Sequence, residues 1–393
     1  MELGYILEML ETIVYVYMSI SVFYLFFFAF FSKFKRTDQY PPAGKNHRFL
    51  VLFPAYREDR VIIPSIQSFM KQQYPGDKYD VVVISDKMTE DTNKRISELS
   101  AKVLKVDFVN STKGKALAFA MESVVNESYD IVVILDADNT VEPDFLDQIN
   151  RAYDSGALAI QAHRKGKNTN TDIATLDAVS EEMNNAYFRK GHVFLGLSSA
   201  LSGSGMAFDF SWFRENAGKL SSAGEDKELE TLLLKQRIYI EYLHDVPVYD
   251  EKVQNSSAFY KQRQRWLAAQ FGTLGKALKD LPVALLSGNI DYSNKLFQWM
   301  MLPRLLLLGF ISIFSFALLF LQPGNALKWW GLLFLLLITF GLAIPKDMDN
   351  KALEKALVKL PLLFILMFIN LFRMKGANKK FIHTSHGESV HQV

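Results

Sequence analysis

Apolar side chains are concentrated towards the two ends of the chain, while the middle alternates short apolar runs with amphipathic segments. Near the N-terminus Ile13–Phe31 is almost wholly apolar or aromatic, and Met301–Leu321 and Leu327–Ile344 repeat this pattern near the C-terminus. A run of ~20 apolar residues is long enough to cross the hydrocarbon core of a bilayer. The pattern predicts a retained N-terminal anchor and a C-terminal helical hairpin that turns at Gln322–Asn325.

Basic residues set the expected orientation of these spans. Lys33, Lys35 and Arg36 follow the first span, and the charged, amphipathic stretch 346–359 follows the hairpin. By the positive-inside rule, the middle region then lies in the cytoplasm. The last apolar run, Leu360–Phe372, is short and has basic flanks on both sides. Whether it crosses is left open, and a re-entrant or interfacial element is favoured.

Three regions follow from this pattern: 1–46 as anchor and linker, 47–280 as a soluble domain, and 281–393 as interfacial and transmembrane helices with a basic tail. Within the soluble domain, strand-like and helix-like segments alternate, which is typical of βαβ units and predicts an α/β fold with a mainly parallel sheet. The predicted strands are Phe49–Phe53, Asp80–Ile84, Val103–Val109 and Ile131–Leu135. The predicted helices are Ile62–Gln73, Asp91–Ser100 and Lys115–Val125.

Composition excludes several classes of function. The net charge of +2 gives no global basic field, so nucleic acid is not an expected partner. There are no cysteines, which excludes disulfides, thiolate metal sites and a cysteine nucleophile. The seven histidines show no HxH or HxxxH spacing, which disfavours a zinc site.

Candidate polar residues follow the predicted strands, where ligands bind in parallel α/β sheets. Asp136 and Asp138 come directly after Ile131–Leu135 and could supply two carboxylates to Mg²⁺ or Mn²⁺ beside a diphosphate. A lone DxD is more often a simple strand-to-turn connection. Asp86 ends the second strand and could accept hydrogen bonds from a nucleotide base or ribose. Lys115 opens a helix and could reach the nucleotide, or it could be a solvated surface lysine.

Two later segments could act on the substrates. Glu225 and Asp226 begin an apparent helix, where a carboxylate is kept ionised by the helix dipole and could accept a proton, although capping is the simpler reading. Gln262, Arg265 and Trp266 share one helix face. Arg265 could bind a diphosphate through two hydrogen bonds, and a sugar ring could stack on Trp266 beside it. Arginine and tryptophan are also ordinary residues beside a membrane segment.

The small-residue loop 201–206 contains Gly203 and Gly205, which could let an acceptor approach the backbone closely. It lacks the Lys-Ser or Lys-Thr that would follow in a phosphate-binding loop. The prediction for this loop is therefore acceptor contact.

With these motifs the chain resembles the membrane-bound family 2 glycosyltransferases, the group of cellulose, hyaluronan and poly-N-acetylglucosamine synthases. The resemblance covers roughly residues 49–270 and the membrane arrangement, and it implies a GT-A fold. The matched positions are Pro54, Tyr56 and Glu58 in the first nucleotide-contacting loop, Asp86 for the base, and Lys115 as the lysine of the family's Gly-Lys-Ala segment. Asp136 and Asp138 match the metal-binding DxD, Asp226 the catalytic base, and Gln262, Arg265 and Trp266 the QxxRW motif. Gly224 stands where the family usually has threonine.

The resemblance implies inverting transfer of a sugar from a nucleotide sugar, with UDP-sugars favoured, to a growing glycan or lipid-linked acceptor. The implied setting is envelope polysaccharide synthesis at the plasma (inner) membrane, with Mg²⁺ or Mn²⁺ as cofactor and the bilayer itself as a partner. Two alternatives stay open: a non-processive transferase that adds one sugar to a lipid-linked acceptor, and an inactive assembly subunit of a polysaccharide complex. The few predicted spans also leave open a homo-oligomer or a separate export partner.

Overall fold

The computed structural model describes residues 2–34, 36, 40–124, 128–222, 224–346, 348 and 350–373. Within these residues, eight strands form one sheet. In chain order, β1 to β8 are Phe49–Tyr56, Tyr79–Asp86, Lys102–Val106, Ile131–Ile134, Thr140–Val141, Ala159–Gly166, Met206–Asp209 and Ile240–Asp250. Their order across the sheet is β3-β2-β1-β4-β7-β6-β8-β5. Only β5 and β7 among them run against the others, which confirms the mainly parallel sheet.

Helices cover the sheet and continue into the C-terminal region. In chain order, α1 to α16 are Glu2–Phe31, Ile62–Phe69, Glu90–Glu98, Lys113–Ser123, Phe145–Asp154, Asp172–Asn185, Gly191–Phe194, Phe210–Ala217, Glu225–Lys235, Ser256–Ala277, Leu281–Leu286, Ile290–Met300, Arg304–Leu321, Pro323–Ala343, Asn350–Leu357 and Leu360–Phe372. A π-helical turn, Ala186–Lys190, joins α6 to α7.

The central strands are buried on both faces, which explains their continuous apolar sequences. Leu50, Leu52 and Val132 point into one core with α4, α8 and α9, whereas Val51 and Val133 point into a second core with α2 and α5. The four predicted strands are all present, although β3 ends at Val106. The three predicted helices are present with boundaries shifted by a few residues at one or both ends.

The membrane prediction is supported by length and composition. Among the described residues, three helices are long and apolar enough to cross a membrane: Gly4–Phe31, Arg304–Leu321 and Pro323–Ala343. The expected four-residue turn of the hairpin is wrong, because α14 begins at Pro323 and only Gln322 separates it from α13. The amide hydrogen of the first helical residue has no partner within the helix, so proline, which lacks that hydrogen, loses nothing at this position. Pro323 therefore begins a helix and not a turn.

The last two helices form a bent pair. The chain bends by 54° between α15 and α16. Together the two helices are a fourth candidate span or a re-entrant element. α16 is held to α10, because Asn370 Nδ2 donates to the Tyr260 carbonyl at 3.0 Å and Gln264 Nε2 donates to the Arg373 carbonyl at 2.7 Å. The basic tail after Arg373 lies outside the described residues.

The N-terminal helix is seated directly on the soluble domain. Phe28 stacks on His192 with ring centroids 3.7 Å apart, and the Tyr24 hydroxyl donates to Asn294 Oδ1 at 2.7 Å. Just beyond the helix, Arg36 donates to both carboxylate oxygens of Glu241, on β8, at 2.9 and 3.0 Å. The first helix therefore has a fixed position relative to the sheet.

Candidate active site

A cavity of about 550 Å³ opens at the carboxyl ends of β1, β2 and β4 and extends to the membrane helices. Ligands bind at this edge of parallel α/β sheets. Eleven of the thirteen predicted site residues line this cavity: Pro54, Tyr56, Glu58, Asp86, Asp136, Asp138, Gly203, Asp226, Gln262, Arg265 and Trp266. Lys115 and Gly205 do not.

Lys113, which the sequence prediction passed over, lies at the centre of the polar half of the cavity. Its buried ammonium group donates to Asp136 Oδ1 and, at 2.6 Å, to the Gly203 carbonyl, and it lies 3.7 Å from Glu225 Oε1. Burial opposes its charge, but the carboxylates of Asp136 and Glu225 outweigh burial and raise the pKa of Lys113. One cation therefore holds together three separate chain segments.

Lys115 lies outside the cavity, so Lys113 replaces it in the candidate donor site. The Lys115 amine is exposed and donates to the Asn110 carbonyl at 2.9 Å. Both lysines belong to the first turn of α4, which Thr112 caps by accepting from the Lys115 amide at 3.2 Å. Successive helical residues turn by about 100°, so residues two apart point to opposite sides and only one can face the cavity.

Asp138 is held by the protein through both of its carboxylate oxygens. Its Oδ2 accepts from the Glu251 amide at 2.7 Å, and its Oδ1 accepts from Asn139 Nδ2 at 3.1 Å. The Asp136 amide donates to Asn139 Oδ1 and to Ser204 Oγ, both at 3.0 Å. This network fixes the turn after β4 and holds both carboxylates at the cavity.

The two carboxylates fit a divalent cation only in part. The described residues contain no group of three His, Cys, Asp or Glu side chains that could hold a metal ion. Asp136 and Asp138 supply two carboxylates, which is a minority of an octahedral ligand set. Mg²⁺ commonly binds through one or two carboxylates together with substrate phosphates and water, and this donor set suits that arrangement.

Asp86 has the features of a ligand-binding carboxylate. It ends β2 and is 3% exposed, and its Oδ1 has no hydrogen-bond partner. Burial raises the pKa of Asp86 above its usual value. A buried acceptor without a partner is costly unless a ligand donates to it, and the imide of a base or a ribose hydroxyl is such a donor.

The expected acidic pair begins α9, with Gly224 as its N-cap residue. Glu225 is buried and faces Lys113, whereas Asp226 is partly exposed and lies 3.8 Å from Lys227 Nζ. Burial raises the pKa of Glu225 to about 7; the charge of Lys113 opposes this shift and that of Asp226 adds to it. The more accessible carboxylate of the pair is therefore Asp226.

Gly224 explains the departure from the family's usual threonine. A Cβ atom at this position would lie 2.7 Å from the Cβ of Ala269 on α10, which is closer than real Cβ contacts. The start of α9 and the middle of α10 therefore approach more closely than a side chain at residue 224 permits. This contact sets the spacing between Asp226 and the aromatic and arginine residues of α10.

On α10, Gln262, Arg265 and Trp266 all face the cavity, as their spacing predicts. Gln262 Oε1 is buried without a hydrogen-bond partner. Burial lowers the pKa of Arg265, and the carboxylates of Glu225 and Asp136 oppose that effect. Arg263 also lines the cavity, and its guanidinium lies 4.2 Å from the Trp266 ring centroid.

The two glycines of the loop have different roles. Gly203 lines the cavity with φ of +84° and presents its carbonyl to Lys113. Gly205 has φ of +64°, and a Cβ there would lie 2.9 Å from Val248 Cγ2. It packs inside the sheet, where its carbonyl accepts from the Ala162 amide at 2.8 Å. The structure therefore places only Gly203 where an acceptor could approach.

A buried ion pair under this loop was not predicted. Arg164 on β6 donates through Nε and Nη2 to Asp250 Oδ2 at 2.9 and 2.6 Å, and through Nη1 to the Ser202 carbonyl at 2.8 Å. Both residues lie on strands that the sequence analysis did not identify. Without strand assignments, no sequence signal brings these two residues together.

Comparison with known proteins gives the class of this chain. Residues 131–342 match the Glycosyl transferase family group 2, a stretch that includes Asp136, Asp226 and both helices of the hairpin. The match covers more than half of the chain, and the protein belongs to this family. It is therefore a family 2 glycosyltransferase with an α/β domain and several apolar helices.

Individual relatives are distant. The chain is 24% identical over 225 residues to a beta-monoglucosyldiacylglycerol synthase from Synechocystis, covering 55% of this chain and 46% of that protein. It is 24% identical over 252 residues to a probable glucomannan 4-beta-mannosyltransferase from Arabidopsis thaliana, covering 59% and 47%. The chain thus spans about half the length of these curated relatives. A mannosyltransferase from Pyrobaculum calidifontis, solved with GDP-Man and Mn²⁺, superposes with a TM-score of 0.49 at 16% identity, covering 84% of this chain and 99% of that one.

The contact between Gly224 and Ala269 can be tested by substitution. We expect Gly224→Ala to lower the free energy of unfolding by about 1–3 kcal/mol, since overpacking forces α9 from α10, and to reduce turnover by displacing Asp226. Ala269→Gly in the same chain should restore turnover but only part of the lost stability, because glycine inside a helix itself costs about 1 kcal/mol. Gly218→Ala, where no heavy atom lies within 4 Å of the new Cβ, is the matched control. Thermal unfolding and sugar-transfer rates measure the effects, and a Gly224→Ala protein equal to wild type would refute this role.

The raised pKa of Glu225 predicts a pH-dependent stability. A carboxyl group with a folded pKa above its unfolded pKa stabilises the fold below the unfolded value and loses that contribution as pH rises through the folded value. Stability from this group should therefore fall between about pH 4.5 and 7. Glu225→Gln should raise the unfolding midpoint at pH 8 more than at pH 5, relative to wild type. An equal change at both pH values would show that Glu225 does not titrate in this window.

Proposed function

We propose that this protein is an inverting glycosyltransferase that uses a nucleotide sugar, with a UDP-sugar favoured, and that works from the cytoplasmic side of the plasma (inner) membrane. The observation that carries the proposal is the convergence of Asp86, Asp136, Asp226 and Arg265 on one cavity at the strand ends. These residues come from four separate elements. Structural demands alone do not explain why all of them face the same space.

The donor side follows from the charges around the strand ends. Asp86 would receive the base or ribose, and Pro54, Tyr56 and Glu58 would flank the nucleotide. Lys113 and Arg265 are the cations placed to meet the diphosphate. Asp136 and Asp138 would hold Mg²⁺ or Mn²⁺, which when bound neutralises the charge of the leaving diphosphate.

The chemical step assigned to this chain's own residues is proton removal. The Asp226 carboxylate would take the proton of an acceptor hydroxyl, whose oxygen attacks the anomeric carbon as the bond to the diphosphate breaks. The bonding electrons leave with the diphosphate oxygen, and the guanidinium of Arg265 would stabilise the negative charge that develops on that oxygen. Trp266 offers a flat apolar surface for the sugar ring that is being transferred or extended.

A second candidate function is single transfer to a lipid-linked acceptor. The apolar half of the cavity favours it over polymer synthesis. Its walls are Leu305 and Leu308 on α13, Ile344 after α14, and Leu360 and Leu363 on α16. A sugar polymer needs hydrogen-bonding partners along its path, whereas hydrocarbon needs only apolar contact.

The direct test incubates the purified full chain with a panel of nucleotide sugars, Mn²⁺ or Mg²⁺ and membrane lipids, and measures diphosphate release and product size. An absence of diphosphate release with every donor would favour an inactive assembly subunit.

The assignment of Asp226 as base makes a prediction about turnover. We expect Asp226→Asn to reduce turnover by about 10²–10⁴-fold, because the amide keeps the shape and removes the basicity. Binding of the nucleotide diphosphate should change little, since Asp226 is not part of the proposed donor site. Asp77→Asn, on an exposed residue away from the cavity, is the matched control. Turnover close to wild type would reduce Asp226 to a residue of the helix terminus.

The proposed orientation can be tested with single cysteines, because the chain has none of its own. Ser97 is exposed on α3 of the soluble domain, and Gly324 is exposed at the start of α14, between the two spans. In intact cells, a cysteine at Ser97 should resist a membrane-impermeant thiol reagent and one at Gly324 should react. The reverse result would place the donor site on the wrong side for cytoplasmic nucleotide sugars. A cysteine at Ser385, beyond the last helix, reports whether α16 crosses.

A further inference from the structure

Arg304 occupies an unusual place at the junction of the polar and apolar halves of the cavity. It is the first residue of α13, directly after Pro303, and it lines the cavity beside Leu305 and Leu308. A guanidinium at the entrance of an apolar space must keep its charge, since arginine does not lose its proton in proteins. The groups that compensate this charge therefore decide what the space can bind.

The contacts of Arg304 with the protein are all to neutral groups. Its Nη2 donates to the carbonyl and to the hydroxyl of Ser180 at 2.9 and 3.1 Å, and its guanidinium lies 5.1 Å from the ring centroid of Tyr187. Its Nη1 is buried and has no hydrogen-bond partner. Among the described residues, no carboxylate forms an ion pair with it, and the Glu181 carboxylate, which acts on its charge from a distance, is paired with Arg189.

Neighbouring arginines show that this is not a general property of the region. Arg263, one turn before Trp266, also lines the cavity and is paired with Asp177. Arg189, which follows Tyr187 on the π-helical turn, is paired with Glu181 at 2.9 Å. Both pairs are buried, as a charge removed from water requires. Arg304 alone of these three lacks an acidic partner.

The surroundings restrict what could complete Arg304. Besides Arg304, α13 contributes Leu305 and Leu308 to the cavity lining, and α16 contributes Leu363 and Met367. A free inorganic anion would gain nothing from these side chains, and a neutral lipid would leave the guanidinium uncompensated. A ligand with a negative group attached to hydrocarbon satisfies both halves of this junction.

We propose that Arg304 binds the anionic group of a lipid acceptor, such as a phosphodiester that links an acyl or isoprenoid tail in the apolar half of the cavity to a head group with a free hydroxyl. This deepens the proposed function and rests on it, because it assigns the chemical class of the acceptor for the same site. The phosphate lies at Arg304, the tail lies between α13 and α16, and the acceptor hydroxyl points towards Trp266 and Asp226. Arg304 is thus a residue that determines acceptor specificity.

The test compares two dioleoyl lipids, of which one carries an anionic phosphate where the other carries a neutral hydroxyl, using the full chain purified in detergent. Dioleoyl phosphatidic acid and dioleoylglycerol, each in mixed micelles, are titrated against the protein, and binding is followed by tryptophan fluorescence, which requires no turnover. We expect at least about tenfold tighter binding of the anionic lipid by wild type. Arg304→Gln should remove this preference and Arg304→Lys should retain most of it. Arg214→Gln, on an exposed arginine of α8, is the matched control.

Several outcomes would overturn the proposal. The wild type could bind both lipids equally, or Arg304→Gln could keep the preference for the anionic lipid. Either result would show that Arg304 does not recognise the negative charge of the lipid. Competition by inorganic phosphate as strong as that by the anionic lipid would show a simple anion site without a role for hydrocarbon. Nucleotide diphosphate binding, measured on each variant, confirms that the protein is folded. Charge-dependent lipid binding without diphosphate release from any donor would refute the glycosyltransferase assignment and leave this site standing.

Discussion

A buried ammonium group needs compensating charge, and Lys113 finds it on groups that lie far apart in sequence. Asp136 follows β4, Glu225 opens α9, and the Gly203 carbonyl belongs to the loop before β7. Without Lys113, the carboxylates of Asp136 and Glu225 would lose the cation that they share. The same charges are the ones a diphosphate would meet, so the interaction that holds the site together also prepares it for a polyanionic ligand.

The strands that carry the donor residues could be predicted because they are buried on both faces and read as continuous apolar runs. The other half of the sheet gives a weaker signal. β7 has four residues and runs antiparallel to both of its neighbours, and β8 contains Pro247 and a register shift opposite β6. Pairing of this kind depends on contacts between distant segments, which periodicity does not record. Arg164 and Asp250 were missed for the same reason.

Site residues on a helix could be predicted where their spacing along the sequence determines which face of the helix they share. Gln262, Arg265 and Trp266 share a helix face by their spacing, and all three reach the cavity. The choice between Lys113 and Lys115 was not predictable in this way, because it depends on where α4 begins relative to the sheet. The buried acceptor on Asp86 and the contact of Gly224 with Ala269 likewise exist only after the helices have packed.

The membrane helices and the chemistry are coupled through α10. One part of α10 contacts the start of α9 through Ala269, and another is held by α16 through Tyr260 and Gln264. A shift of α16 would therefore move the helix that carries Arg265 and Trp266. Since α16 also walls the apolar half of the cavity, entry of a lipid tail and alignment of the donor clamp act on the same helix. In the proposed function, an acceptor tail bound against α16 would therefore lie on the element that holds α10, the helix of Arg265 and Trp266.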